Sequence, residues 1–340
     1  MQSYPFFSPS RIQQALSARG GAILKSKGQN FLTDPNAVRV IAESVLALLP
    51  FRIVNAGDTD PPEDLEILEI GPGTGALSFA LWDSIYELAL RFPETRFKYR
   101  ALELDPLLCS ILSEETLKHW MDKLGIHPSD TLGQDWQSAQ NATWTISNNL
   151  SFHLHNCDAR VWLERSFASG QPSNSEMRII CGNLPYYIST ELLLKSVALR
   201  PRACAFLVQK EYAQRILDTR KSSSISVFVR NSMDPFKGPS ISRGCFLPPP
   251  SVESSVLILK SVKPKCESQV LEPLLRKSFQ GKRKTLRNSW RNNVANEEEL
   301  NELEAAANQS GIDWANRAED LKPEDFYSMA RFITESGNSG

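Results

Sequence analysis

Asn183, Leu184, Pro185 and Tyr186 stand in a row after an apolar stretch at 178–181 and before another at 188–199. An amide oxygen and a backbone carbonyl can both accept from an exocyclic amine, and a tyrosine face can stack on a flat ring. Proline fixes its own φ and pushes Leu184 into an extended conformation, so the Leu184 carbonyl is aimed rather than free. These residue types together make a device for holding an aromatic ring that bears an amino group. Taken alone, the tetrapeptide is equally an ordinary strand-to-helix turn.

A second constellation lies upstream. Glu69-Ile70-Gly71-Pro72-Gly73-Thr74-Gly75 joins an apolar run at 65–70 to a helical pattern at 76–89. Glycines there let the backbone approach a ligand, and the following helix offers free N–H groups. A dinucleotide fingerprint places its third glycine one residue later. With Glu69 two residues ahead of the loop, the spacing fits S-adenosylmethionine better, since no pyrophosphate need be cradled. Glu103 closes the strand-like run at 99–104 and Asp158 follows the one at 150–155. A carboxylate at Glu103 can accept both ribose hydroxyls of an adenosyl group, and Asp158 can accept from the adenine amine. Either acid singly reads as a helix cap; their succession after consecutive strands argues for a shared ligand.

The elements that position these residues alternate. Runs at 65–70, 99–104, 150–155, 178–181 and 203–208 read as strands separated by helices, which predicts an α/β fold. The expected architecture is a doubly wound, mostly parallel, Rossmann-like sheet, with β-rich runs at 225–229 and 255–259 completing it. The polar residues of interest all follow strand C-termini, where such sheets bind ligands. Two stretches break the rhythm: 55–63 is rich in Asp, Pro and Gly, and 118–149 is polar without sustained period. The latter reads as an insertion that embellishes the surface.

After Val262 the character changes. Nine basic residues between 261 and 291 face only Glu267 and Glu272, and an acidic helix-forming run follows at 297–304. The expected division is therefore 1–262, carrying the ligand site, and 263–340, small, helical and basic. Arg283, Lys284 and Arg287 are the candidate phosphate grip, while Phe279, Leu286 and Trp290 interleave at helical spacing and read as core anchors. The net charge of −1 over 340 residues excludes a uniformly basic nucleic-acid binder, so a polyanion site must be local. Six cysteines without paired short spacing indicate reduced thiols, not a disulfide framework or zinc ribbon. His153 and His155 alternate along one strand with no ligand cluster beside them, so no metal is expected. The apolar run at 38–54 is interrupted by Glu43, Pro50 and Arg52, and no charged-then-apolar leader precedes it. A cytoplasmic protein with no membrane partner is expected.

From about residue 25 to 332 the chain resembles the ribosomal RNA adenine N6,N6-dimethyltransferases, and within them the small-subunit enzymes linked to kasugamycin sensitivity. The shared blocks are Gly28-Gln29-Asn30-Phe31-Leu32, 69–75, Glu103-Leu104-Asp105, Asp158-Ala159, 183–190, Gln209-Lys210-Glu211, 246–254, 283–289 and Arg317-Ala318-Glu319. The resemblance implies a methyltransferase domain using S-adenosyl-L-methionine and a small helical domain that binds rRNA. It implies dimethylation of N6 on two adjacent adenosines in a 3′-terminal hairpin of 16S rRNA, on a pre-30S particle, by a monomer with a part in small-subunit biogenesis. Asn30 and Leu32 would close over the cofactor. Gly71, with Gly73 in the same loop, would meet its methionine part, Glu103 its ribose, and Asp158 with Ala159 its adenine. Asn183 and the Leu184 carbonyl would lie where cofactor and target amine meet, and Tyr186 would stack on the target base. Lys27 stands where many relatives carry an aromatic residue, and 220–224 lacks a Tyr-Gly step found in the family. Two rivals share the scaffold. One is the resistance enzyme acting on a large-subunit rRNA adenine, disfavoured by Leu184 and the 283–289 block. The other is a non-catalytic assembly or transcription factor, disfavoured by intact Glu103, Asp158 and Asn183.

Overall fold

The computed structural model describes residues 4–24, 28–51, 62–126, 141–168, 176–281 and 283–337. Lys27, Lys282 and most of the Asp/Pro/Gly-rich interruption, 55–61, lie outside the described residues, as does 127–140 of the expected insertion. The chain divides into two compact units: residues 1–210 with 237–258, and residues 211–236 with 259–340. A single cut near Val262 does not describe this division, because 211–236 cluster with the C-terminal residues.

In chain order the first unit carries α1 (Pro9–Ser17), β1 (Phe31–Leu32), α2 (Pro35–Leu46), β2 (Asp64–Ile70), α3 (Ala76–Arg91), β3 (Arg96–Glu103), α4 (Pro106–Ile111), α5 (Lys118–Leu124), β4 (Asn141–Ser147), β5 (Leu150–Asn156), α6 (Ala159–Ala168), β6 (Glu176–Asn183), α7 (Ser189–Ala198) and β7 (Ala203–Gln209). Strands β8 (Met233–Ile241), β9 (Phe246–Leu247) and β10 (Ser254–Ser261) follow. Eight strands form one sheet in the order β4-β5-β3-β2-β6-β7-β10-β8, and β1 pairs with β9 separately. β5, β3, β2, β6 and β7 run parallel. β2 is buried from Leu65 to Ile70, as a central strand covered on both faces must be. The chain winds outward from β2 through β3 to β5, then returns to β6 on the other side of β2. The carboxyl ends of β2 and β6 therefore flank the switch point at which such sheets open a ligand crevice.

Two expectations are corrected. The run at 225–229 is not a strand; it lies inside a helix, α9 (Ser224–Ser232), started by a capping box in which the side chains of Ser223 and Ser226 each accept from the other's backbone N–H. Ile225, Val227 and Val229 are buried there, and Tyr327 donates to the Val227 carbonyl at 2.8 Å, so tertiary packing overrides β-branched preference. The strand on that side is β8, whose Pro235, Gly238 and Pro239 hide its extended character; prolines are tolerated because β8 ends the sheet.

The described parts of the expected insertion, 118–126 and 141–149, contribute to the core and are not surface embellishment. Trp120 of α5 is 0 % exposed and meets the rings of Trp82 at 5.8 Å and Phe152 at 5.4 Å. β4 buries Ala142, Trp144 and Ile146 and pairs antiparallel with β5, Trp144 facing Phe152. The alternation Asn-Ala-Thr-Trp-Thr-Ile-Ser is the period-2 signal that a low local hydropathy masked.

The second unit is helical: α8 (Lys210–Leu217), α9, α10 (Ser268–Phe279), α11 (Leu286–Arg291), α12 (Glu297–Gln309) and α13 (Pro323–Gly337). Its core gathers Val227, Leu271, Leu275, Leu286, Trp290 and Phe326. Phe279 packs on Phe326 at 5.4 Å, so the aromatics among the basic residues are anchors, as their spacing indicated. All six cysteines are free thiols. Among the described residues no helix is long and apolar enough to cross a membrane. Trp120→Ala is expected to lower stability by about 3–5 kcal/mol, read as a reduced denaturant midpoint, because an enclosed aromatic side chain leaves a cavity.

Candidate active site

At the switch point a cleft of about 980 Å³, open solvent included, is lined by the glycine loop, the ends of β3, β5 and β6, and the strap at 28–32. Gly71, Gly73 and Gly75 all have positive φ. At Gly75 the constraint is steric as well, since a Cβ would lie 2.5 Å from Leu112 Cδ1. A Cβ on Gly71 would meet only the Asn183 carbonyl, at 3.8 Å, so this backbone faces the open cleft and can be approached closely.

Glu103 sits beneath the loop, 7 % exposed, accepting from Gly73 N–H at 3.0 Å and Asp105 N–H at 2.9 Å. Burial pushes its carboxyl up to about 7 against the pull of these N–H donors. Glu69, also lining the cleft, is raised to about 7 by burial; it accepts from Ser78 Oγ at 2.5 Å and from the Tyr99 hydroxyl. Asp158 is the opposite case. Arg160 donates to it from Nη2 at 2.6 Å, from Nε and from its backbone N–H, and holds it below the usual carboxylate range. Ala159 lines the cleft beside it.

Asn183 ends β6. Its Nδ2 donates to the Asn30 carbonyl at 2.9 Å, which ties the strap to the strand and leaves Oδ1 accepting from no described residue. The Leu184 side chain is buried and its N–H donates to the Leu207 carbonyl at 3.1 Å; its own carbonyl accepts from no described residue. Tyr186 is half-buried, its hydroxyl 2.6 Å from Ser254 Oγ. The aromatic ring that lines the cleft here is that of Tyr187, 61 % exposed, against which Gly28 packs. Leu32 and Asn30 line the cleft from the strap.

The structure thus gathers Asn30, Leu32, Gly71, Gly73, Glu103, Asp158, Ala159 and Asn183 around one cleft; Leu184 and Tyr186 adjoin it in sequence without lining it. The expected phosphate grip lies in the second unit. Arg283 and Lys284 are exposed and pair with no described residue, whereas Arg287 donates to Glu304 at 2.9 Å and stacks on Trp314 at 4.5 Å. Sequence reasoning missed three contributors. Gln29 bridges the Leu24 N–H at 2.7 Å and Asp105 Oδ2 at 3.2 Å. Tyr187 lines the mouth, and Gly182 lets β6 close on β2. Gln29 and Tyr187 carry no local signal beyond their place in motif blocks; Gly182, between the strand-like run at 178–181 and Asn183, was the readable one. His153 and His155 share a polar sheet face with Arg100 and Glu66, and burial lowers both to about 4.

The model of the family described as "Ribosomal RNA adenine dimethylase" matches residues 22–335. The chain belongs to this family. It is an S-adenosyl-L-methionine-dependent rRNA adenine dimethyltransferase. Curated relatives include Ribosomal RNA small subunit methyltransferase A of Geobacillus thermodenitrificans, 30 % identical over 336 residues and covering 96 % of both chains. The protein of that name from Mycoplasmoides gallisepticum is 29 % identical over 314 residues, 92 % of this chain and 93 % of the relative. A dimethyladenosine transferase from Plasmodium falciparum shares the fold with TM-score 0.56 at 19 % identity, over 90 % of this chain and 98 % of its own. The 23S rRNA methyltransferase ErmE does so with TM-score 0.53 at 20 %, over 89 % and 99 %. The lining of the cleft fits the enzyme's cofactor: open glycine backbone at Gly71, the Glu103 carboxylate as an acceptor, and the Asp158 carboxylate with apolar Leu104 further along.

Glu69 and Glu103 have folded values of about 7, above the ordinary 4.5. Their neutral forms therefore stabilise the fold fully below the ordinary value, and that contribution is lost as pH rises through 7. The thermal midpoint of the ligand-free enzyme is expected to fall between pH 6 and 8, and Glu69→Gln with Glu103→Gln to flatten the fall. An ionised carboxylate accepts from hydroxyls more strongly than a neutral one, so if Glu103 meets the cofactor, affinity measured by calorimetry should rise over the same window and lose most of that rise in Glu103→Gln.

Proposed function

We propose that the enzyme dimethylates N6 of two adjacent adenosines in a 3′-terminal hairpin of small-subunit rRNA, acting as a monomer on a pre-30S particle in the cytoplasm. The observation that carries the site assignment is the pair of acceptors at the end of β6, Asn183 Oδ1 and the Leu184 carbonyl, that no described residue engages, next to the open Gly71 backbone. The names of the curated relatives support the choice of subunit. Residues 1–210 with 237–258 hold the cofactor and target base. The basic C-terminal residues grip rRNA phosphates through Arg283 and Lys284, with Arg287 held beside them by Glu304 and Trp314.

An adenine N6 lone pair is delocalised into the ring and is a poor nucleophile. In the first transfer, donation of the two amine hydrogens to Asn183 Oδ1 and the Leu184 carbonyl favours a tetrahedral nitrogen with its lone pair directed away from them; in the second, the one hydrogen left on the monomethylated nitrogen donates to one of these acceptors and the methyl takes the other place. S-adenosyl-L-methionine supplies the methyl group on a sulfonium, an excellent leaving group. Transfer would form the nitrogen–carbon bond as the sulfonium's carbon–sulfur bond breaks and the neutral thioether, S-adenosylhomocysteine, leaves; the nitrogen would then release one proton to water. Positioning accounts for most of the rate. Gly71 and Gly73 would meet the methionine part, Glu103 the ribose hydroxyls, and Asp158 beside Ala159 the adenine amine. Asn30 and Leu32 close the strap. The target base must unstack at a cost of a few kcal/mol, which stacking on Tyr186 offsets. The Ser254 contact fixes that ring's rotation.

Labelled methyl transfer to small subunits lacking dimethyladenosine should place label on two adjacent adenosines, and none on modified subunits. Label on naked large-subunit rRNA instead would move the substrate to the other subunit, and binding without label would leave an assembly factor. Asn183→Ala should abolish transfer, by at least about 10³-fold, while cofactor affinity changes little. Arg283→Glu with Lys284→Glu should weaken RNA binding and flatten its salt dependence; an unchanged slope would place the phosphate grip elsewhere.

A further inference from the structure

The glycine loop is held from beneath by residues outside the site as described so far. Thr74, 2 % exposed, lies between Gly73 and Gly75. Its carbonyl accepts from Thr116 Oγ1 at 2.8 Å, and the Tyr4 hydroxyl lies 2.9 Å from that same carbonyl oxygen and 2.9 Å from Thr74 Oγ1. Tyr4 is 4 % exposed, its ring 5.4 Å from Phe79 of α3 and 4.8 Å from Phe7. Two buried hydroxyls thus converge on one loop threonine, from opposite parts of the chain.

Thr116 reaches the loop because residues Leu112–Leu117 wind as a π-helix between α4 and α5. Such widened turns are rare and concentrate at functional sites. Here the turn seats the loop: a Cβ on Gly75 would fall 2.5 Å from Leu112 Cδ1 and 3.0 Å from Thr116 Cγ2. Two other residues of the turn hold α1. Arg19 pairs with Glu115 at 2.6 Å and Glu114 at 2.8 Å, and Arg11 with Glu115 at 3.3 Å. α1 lies between Tyr4 and the strap, so one stretch of chain touches the glycine loop twice. Tyr4 meets it at Thr74, and Phe31 lies 3.4 Å from the Cβ position of Gly73.

We propose that Tyr4 and Thr116 are positioning residues for the cofactor. By clamping the Thr74 carbonyl they fix the plane of the 74–75 peptide and the path of the loop before the cofactor binds. A loop ordered in advance does not spend binding free energy on its own ordering. The proposal rests on the reading of the cleft as the cofactor site, and its first readout is independent of that reading.

Tyr4→Phe and Thr116→Val each remove one hydroxyl while keeping the packing. In the ligand-free enzyme, amide hydrogen exchange across 72–76 should quicken in each variant and most in the double variant. The dissociation constant for S-adenosylhomocysteine and the KM for the cofactor should rise about 3- to 10-fold, with kcat within about twofold, and Thr116→Ser should restore both. Wild-type exchange and affinity in the double variant, with only a lowered unfolding midpoint, would overturn the proposal and leave Tyr4 and Thr116 as packing residues. Wild-type protein that fails to bind S-adenosylhomocysteine would instead overturn the cofactor-site reading, and loop exchange would then decide the clamp alone.

Discussion

The site depends on one close approach. A Cβ on Gly182 would lie 2.2 Å from the Ile70 carbonyl, so the ends of β6 and β2 meet with no room for any side chain. That contact brings Asn183, the next residue, over the glycine loop that follows Ile70. It also sets the separation of Asn183 from Gly71, whose Cβ position lies 3.8 Å from the Asn183 carbonyl. The parallel pairing of β2 with β6 along its length, Ile67 opposite Ile179, makes the approach rigid. Catalysis by positioning needs this kind of scaffold, because small displacements of reacting groups are costly.

Three acids at the cleft are tuned differently by their surroundings. Glu103 and Glu69 are buried among neutral donors, so their proton is held near neutrality and their charge is available only when something gains from it. Asp158 is partly exposed and pinned by Arg160, so it stays an acceptor throughout. Away from the cleft, Glu66 is as deeply buried as Glu69 yet lies below its ordinary value, because Arg178 at 2.5 Å and Arg100 at 2.8 Å outweigh its desolvation. Burial alone does not set the charge state; the partner does. The polar ladder around Glu66 lets that sheet face carry charge without disturbing the ligand end.

The acidic α12 and the basic residues before it show how charge is divided within the second unit. Lys277 pairs with Glu299 and Arg287 with Glu304, so part of the local positive excess is neutralised internally. Arg283 and Lys284 remain exposed. A count of basic residues along the chain overstates the free charge, since it cannot tell a paired cation from an unpaired one.

Much of the site was legible because its chemistry is written in short, contiguous motifs. The glycine loop, Glu103, Asp158 and Asn183 each follow a strand whose apolar run is unmistakable, and strand ends are where this fold places ligands. The run at 225–229 misled because β-branched residues suit a strand and a buried helix equally, and only the packing of Val227 against Tyr327 chooses between them. β8 and β4 were hidden by prolines and polar alternation that mean little until a sheet edge is there to receive them. The amino-acid sequence by itself determined the alternation of elements, the polar residues that stand at strand ends and the local positive charge. Tertiary structure alone decided which of those residues share a cleft, which cations are already paired, and that Tyr4 and Thr116 meet at Thr74. Such contacts join residues 70 and 42 positions from the loop, and long-range convergence leaves no periodic trace in the chain.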